Sequence, residues 1–412
     1  MSGVYKYETK TGPRWRIVYD GPPVLDPETG EVRRRQTQRR GFLREKEAKQ
    51  ALRAVQGDVD DGTYVEPDQV TFGTYLTDEW LPSIKPRSAD SARRHRGTVS
   101  AATHNRYAMD VARYVTPKLG GVRLQALSPA DLDALYDDLE RAGAKNGGPL
   151  SPTTVANIHG VLHKALSDGV KRGRLKRNPA DAVSPPTRSK ALTRWWSVEE
   201  LRAFLQHVQD DELYAAWLIF ATTGAREGEV AGLTWSDLDL DNGWIRVDWT
   251  LGAIGHDLTW KVRPKSKAGE RVMALDPATV AALREHKRRQ LEARLLMGSG
   301  WQSSFTDWQG LTRHDLVWTH ADGRPIHPKT FYKRFVSLAS EAGLPRIRLH
   351  DVRHSYASAA LASATGWHEV KVISQRLGHA NVGITLDTYS HVLPAADETV
   401  AHTLANVILG GD

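Results

Sequence analysis

The sequence predicts a multidomain, mainly α protein with small β-sheets. Its three parts are a small N-terminal β-sheet plus helix, an all-helical middle domain, and a mostly α C-terminal domain with a small sheet of its own (α+β). Three observations predict it. The chain has 412 residues, more than one hydrophobic core usually organises. Alternating, β-branched and aromatic residues gather near the N-terminus, and Ser-Pro helix starts with helical apolar spacing follow. A proline-rich basic stretch, Ser184-Pro185-Pro186 through Arg194, then interrupts the helical pattern and reads as an exposed linker. These features divide the chain into 1–68, 69–183, a linker 184–196, and 197–412.

In the first part, Arg14-Trp15-Arg16-Ile17-Val18-Tyr19 alternates and reads as a strand. Asp26-Pro27-Glu28-Thr29-Gly30 is turn chemistry. Val32 to Gly41 reads as a second strand, crowded with Arg33, Arg34, Arg35, Arg39 and Arg40, and Lys46 to Gln56 as a helix. Two readings of the arginines stand side by side. They could keep an edge strand from pairing with another chain, or clamp phosphates and enter a DNA groove. The near absence of acidic residues from this stretch favours DNA.

In the second part, Phe72, Tyr75, Leu76 and Trp80 recur at helical spacing, and Thr103 to Val115 is again helical. Lys85 to Thr98 is basic, has no apolar period and reads as a loop. Ser128-Pro129 and Ser151-Pro152 each place an N-cap serine before a proline suited to the first helical position. The helix after Ser151 ends near Gly173, where Lys171, Arg172, Arg174, Lys176 and Arg177 make a basic edge. Complementing the helix dipole is a sufficient reason for those cations.

The third part opens on a capping box, Ser197-Val198-Glu199-Glu200. Among its helices, Trp244 to Thr250 and Arg271 to Leu275 read as short strands, and Glu398 to Leu409 as a closing apolar-periodic helix. No fixed-period repeat runs through the chain.

Composition narrows the chemistry. There are no cysteines, which excludes disulfides, thiolate nucleophiles and cysteine-based zinc sites. Charges interrupt every apolar run long before ~18 residues, and residues 1–10 carry no apolar signal-peptide core. A cytoplasmic protein without membrane contact is the expectation. A net charge of +7 favours a polyanionic partner.

The chemistry-bearing residues lie in the third part. Thr223-Gly224-Ala225-Arg226-Glu227-Gly228-Glu229 comes first, and Lys267 follows at the apparent turn of a hairpin, with Lys261 and Lys265 close by. Next come Leu349-His350-Asp351-Val352-Arg353-His354, then Leu377-Gly378-His379, and ten residues later Tyr389. His350 and Arg353 share one face of a helix. Two arginines, a lysine and two histidines would cage a phosphodiester whose oxygens gain charge during in-line attack. Tyr389 offers a hydroxyl, a poor nucleophile until neighbouring cations or a base activate it. A lysine with a lowered pKa could protonate the departing oxygen. No carboxylate cluster suggests a two-metal site. His350 and His354 have zinc-compatible spacing, but the glutamate of His-Glu-x-x-His is missing. No metal, other cofactor or ATP is expected, the last because Gly-x-x-x-x-Gly-Lys-Ser/Thr is absent.

Taken in this order, the Thr-Gly-x-Arg-x-x-Glu, His-x-x-Arg-His, Leu-Gly-His and Tyr motifs resemble the catalytic domain of the tyrosine recombinases, or phage integrases, over roughly 195–405. By pattern and position, 1–68 resembles their arm-type DNA-binding domain and 69–183 their helical core-binding domain. The resemblance implies a site-specific integrase that cleaves and rejoins double-stranded DNA at attachment sites through a 3′-phosphotyrosyl bond to Tyr389. Arg226 and Arg353 would bind the scissile phosphate, and His379 its non-bridging oxygens. His350 would exchange a proton with Tyr389, Lys267 would protonate the leaving 5′ oxygen, and Glu229 would buttress Arg226. It also implies a homotetramer on DNA, a DNA-bending host factor, an excision factor and a place on the nucleoid of a bacterial host. The competing readings are a type IB topoisomerase-like enzyme and a catalytically silent DNA-binding regulator.

Overall fold

The computed structural model describes residues 2–25, 32–86, 98–187, 194–262, 271–364, 366–389 and 408. The chain divides into two compact units, Met1–Lys190 and Ala191–Asp412.

The first unit begins with a three-stranded antiparallel sheet, β1 (Gly3–Thr9), β2 (Gly12–Leu25) and β3 (Val32–Phe42), in the order β1-β2-β3. The sequence reading placed the last two and missed β1. Its residues are half-buried or exposed throughout, so it carries no apolar face strong enough to announce itself. The available signal was the two-residue turn before Gly12, which has φ +104°. Gly41, at φ +102°, is the extra residue of a bulge that lets Trp15 face Phe42 and Arg16 face Arg40. Helix Glu45–Asp60 lays Ala48 on Ile17 and Tyr19, closing a small core with Trp15, Phe42, Leu52 and Val55.

The remainder of this unit is helical, as its patterning predicts. A helical run spans 72–84, with a π-helical turn at Tyr75–Trp80. It is tied to helix Pro152–Lys171 by Tyr75 Oη donating to Ala165 O at 2.7 Å and Trp80 Nε1 donating to Asp168 Oδ2 at 3.0 Å. Both Ser-Pro starts behave as caps: Ser128 accepts from Asp131 N before helix Pro129–Ala142, and Ser151 accepts from Thr154 N. Within the expected loop 85–98, residues 87–97 lie outside the described ones.

The second unit is built around helix Tyr214–Thr223, apolar on all sides and almost wholly buried. Against its core pack helices Val198–His207, Pro328–Glu341 and Leu349–Ala362, with Trp196, Phe204 and Phe335 in mutual ring contact at 5.2 Å. The Ser197 capping box is present. The expected strand Trp244 to Thr250 is two strands in two sheets. β4 (Leu238–Asp239), β5 (Trp244–Val247) and β8 (Arg271–Ala274) form one sheet, while β6 (Trp249–Ile254) and β7 (Asp257–Val262) form a separate hairpin. The hairpin turn therefore lies at Gly255-His256. The segment holding Lys267 runs between β7 and β8, which among the described residues pair with β6 and with β5 respectively. Lys267, like Lys265 and the closing helix expected at Glu398 to Leu409 (save Ile408), lies outside the described residues. Among the described residues, no helix is long and apolar enough to cross a membrane.

Candidate active site

Two glycine turns bring the motifs together. Helix Tyr214–Thr223 stops at Gly224, whose φ of +63° suits glycine, and a Cβ there would stand 2.5 Å from the Tyr356 ring. Two residues later Arg226 occupies the N-cap of the short helix Glu227–Ala231. Helix Trp367–Leu377 stops in the same way at Gly378, also at φ +63°, where a Cβ would lie 2.9 Å from Arg271 Nη1. Arg353, buried on helix Leu349–Ala362, joins the turns: Nη1 donates to Gly224 O at 2.8 Å and Nη2 to Leu377 O. Burial, then the positive charge of Arg226 and Arg271, lowers its pKa to about 10, so it remains a cation at neutral pH.

Glu229 is the buried acid beneath this cluster, 4% exposed. It accepts from Arg226 N and Arg226 Nη1, each at 2.9 Å, which is the expected buttress. It also accepts both ends of the Arg271 guanidinium, at 3.1 and 2.6 Å. Burial pushes its carboxyl up, but the bonds from Arg271 and the charges of both arginines outweigh that and hold it at about 2. Sequence reading missed Arg271. The signal was alternation in Arg271-Val272-Met273-Ala274, which puts Arg271 on the buried face with Met273.

His379 follows Gly378 directly. Burial, then Arg353, Arg226, His354 and Arg271, drives its pKa down to about 4, so its ring is neutral at pH 7. Thr385 Oγ1 engages Nδ1 at 2.8 Å, which leaves a donor role toward an anion to Nε2.

Tyr389 ends helix Val382–Tyr389 and is 1% exposed. Burial raises its hydroxyl to about 12, against the lowering effect of Arg353. The histidine on that hydroxyl differs from the expected one. His354 Nδ1 lies 2.6 Å from Tyr389 Oη, whereas His350, one helical turn earlier, is exposed, with its ring 5.6 Å from that of His354. A four-residue step keeps the two rings on one face of the helix but shifts them by about 6 Å along its axis, and it is His354 that reaches Tyr389. The structure thus assembles Arg226, Glu229, Arg353 and His379, adds Arg271 and His354, and sets His350 at the rim.

The predicted DNA-contacting arginines divide. Arg33, Arg34 and Arg35 lie on β3, with side chains outside the described ones. The pleat then puts Arg39 and Arg40 on opposite faces. Arg39 pairs with Ile17 on the helix-covered face and stacks over Phe42, 5.6 Å from the ring centre. Arg40 pairs with Arg16 on the other face, where Gln38 Oε1 accepts from Arg40 Nε at 3.3 Å and Arg16 Nη1 at 3.5 Å. Arg16 also lies over Tyr5, 5.8 Å from its ring centre. That face combines cations, an amide and an aromatic ring. Arg16 went unpredicted, although Trp15, Ile17 and Tyr19 on the buried face imply it.

Residues 194–395 match the model of the phage integrase family, and residues 4–59 match an arm DNA-binding domain. A tyrosine recombinase XerC-like protein of Caldanaerobacter subterraneus is 24% identical, over 88% of this chain and 90% of its own length. An integrase of Streptomyces ambofaciens is 26% identical over 89% and 87%. The ICEBs1 integrase of Bacillus subtilis is 28% identical over 63% and 67%. In fold, the chain is similar to the Tn1549 transposon integrase in complex with a circular intermediate DNA (TM-score 0.60, 20% identity, 77% of this chain and 98% of that one). It is also similar to a lambda integrase dimer bound to a COC′ core site (TM-score 0.53, 15% identity, 93% of each). With its motifs in order, its arginines gathered on Glu229 and both matches in place, the chain carries a domain of the phage integrase family of tyrosine recombinases over residues 194–395 and an arm DNA-binding domain over residues 4–59.

Proposed function

We propose that this recombinase cuts and rejoins double-stranded DNA at the attachment sites of a mobile genetic element, integrating and excising it. Tyr389 Oη attacks the scissile phosphorus, the bond to the 5′ oxygen breaks, and a 3′-phosphotyrosyl link forms. Arg226 and Arg353 hold the phosphate, His379 donates to a non-bridging oxygen, and Lys267 protonates the 5′ oxygen. Glu229 keeps Arg226 in place. The observation that carries this reading is the convergence of Arg226, Arg353 and His379 near Tyr389, with one buried carboxylate balancing two guanidiniums. Preorganised cations of this kind stabilise charge as it develops on phosphoryl oxygens. Energy kept in the phosphotyrosyl bond makes rejoining independent of ATP.

Residues 1–68 would contact arm-type DNA through the Arg16–Gln38–Arg40 face and the β3 arginines. Residues 69–183 would contact the core site, 184–196 would link, and 197–412 would catalyse. Four protomers would act together on two sites, with a DNA-bending host factor and an excision factor, on the nucleoid in the bacterial cytoplasm.

A nicked suicide duplex spanning the junction of the element with its host tests this. A slow-migrating covalent adduct on a denaturing gel, absent with Tyr389→Phe, is the expected result. No adduct on DNA that the protein binds would sink the reading and favour a silent regulator.

A further inference from the structure

We propose that His354 is a further catalytic residue, whose Nδ1 takes the phenolic proton of Tyr389 as the phosphotyrosyl bond forms. This rests on Tyr389 being the nucleophile. Three observations carry it beyond the simple need of a buried hydroxyl for a partner.

The first is reach. His354 Nδ1 and Tyr389 Oη lie 2.6 Å apart across two helices, with ring centres 5.6 Å apart, close enough for direct proton transfer. The second is protonation state. Burial, together with Arg353 and Arg348, favours the neutral imidazole over the imidazolium, although Asp351 opposes them. A neutral ring with hydrogen on Nε2 presents a lone pair at Nδ1, as a base must. Asp351 then supplies a counter-charge once the proton has arrived. Among the described residues, the other titratable neighbours are His350 on the same helix and His379 and Tyr389 from the elements packed against it. The third is an outlet. His350, four residues earlier, is exposed and meets the His354 ring edge to face, so a proton on His354 is one imidazole away from bulk water.

The step balances without a further reagent. The Oη–H bond breaks and its proton goes to His354 Nδ1, Oη bonds to phosphorus, and the phosphorus–5′-oxygen bond breaks, its electron pair taking a proton from the leaving-group lysine. Rejoining runs in reverse, and His354 returns the proton to Tyr389.

The test is the single-turnover rate of adduct formation by the full chain on the nicked duplex, as a function of pH. The wild type is expected to show an acid limb lying below the ordinary imidazole value of 6.5, since burial displaces His354 downward. His354→Asn puts an amide oxygen near the Nδ1 position, keeping a hydrogen-bond acceptor without a useful base. It is expected to bind DNA as the wild type does, to cleave about 10²-fold or more slowly, and to lose the acid limb. A 5′-phosphorothiolate substrate, whose leaving group needs no proton, is expected to rescue Lys267→Ala but not His354→Asn. Wild-type cleavage without an acid limb would overturn the proposal, whatever the variants do. So would a folded His354→Asn protein that cleaves at the wild-type rate, or loss of the limb in His350→Asn with its retention in His354→Asn. Absence of adduct from the wild type itself would instead remove Tyr389 as the nucleophile.

Discussion

At the scale of single residues, buried Glu229 controls two guanidiniums, and its ionisation is bound up with the fold. Its folded-state pKa, about 2, lies below the ordinary 4.5. The carboxylate therefore stabilises the protein at pH values above the ordinary one, and that contribution drains away as the pH falls toward 2. The difference is on the order of 3 kcal/mol. Glu229→Gln is expected to flatten the fall in stability of the second unit between neutral pH and about pH 3, as read by urea unfolding. An unchanged slope would contradict the assignment. Arg226, Glu229, Arg353, His379 and Tyr389 were legible because each sits in a motif that orders residue types along the chain. Arg271 was not, since an arginine among lysines and a glutamate looks like solvated surface until a strand turns it inward. The pairing of Tyr389 with His354 was equally hidden, because a sequence shows two histidines on one helix but not which of them faces a helix 35 residues away.

At the scale of elements, caps and turns do most of the placing. Ser128→Ala and Ser151→Ala each remove an N-cap acceptor, and each is expected to lower the stability of the first unit by about 1 kcal/mol in thermal melts. Melts unchanged within a few tenths would show the caps to be idle. Gly378→Ala is a sharper case. It forces a side chain into a left-handed turn and toward Arg271, so loss of adduct formation should exceed loss of stability. An active Gly378→Ala protein would mean that the turn can relax without moving the arginines. The helices were legible because Ser-Pro starts and apolar spacing act locally. Strand pairing was not, because Trp244–Val247 and Trp249–Ile254 are nearly contiguous in sequence yet choose different partners, a choice made by the tertiary core.

At the scale of the whole molecule, the net charge of +7 concerns partners rather than fold. Binding to duplex DNA should weaken steeply with salt, and each of Arg16→Ala and Arg40→Ala should reduce the slope of log affinity against log salt by about one. An unaltered slope would take the Arg16–Gln38–Arg40 face out of the DNA contact.

The bonds of Arg353 to Gly224 O and Leu377 O have one more consequence. Both acceptors belong to the main chain, so Arg353 is registered by the path of the backbone and not by any side chain that mutation can remove. For an engineer retargeting such an enzyme, surrounding side chains can be redrawn for a new DNA sequence while this anchor is inherited intact, provided that the two turns keep their glycines.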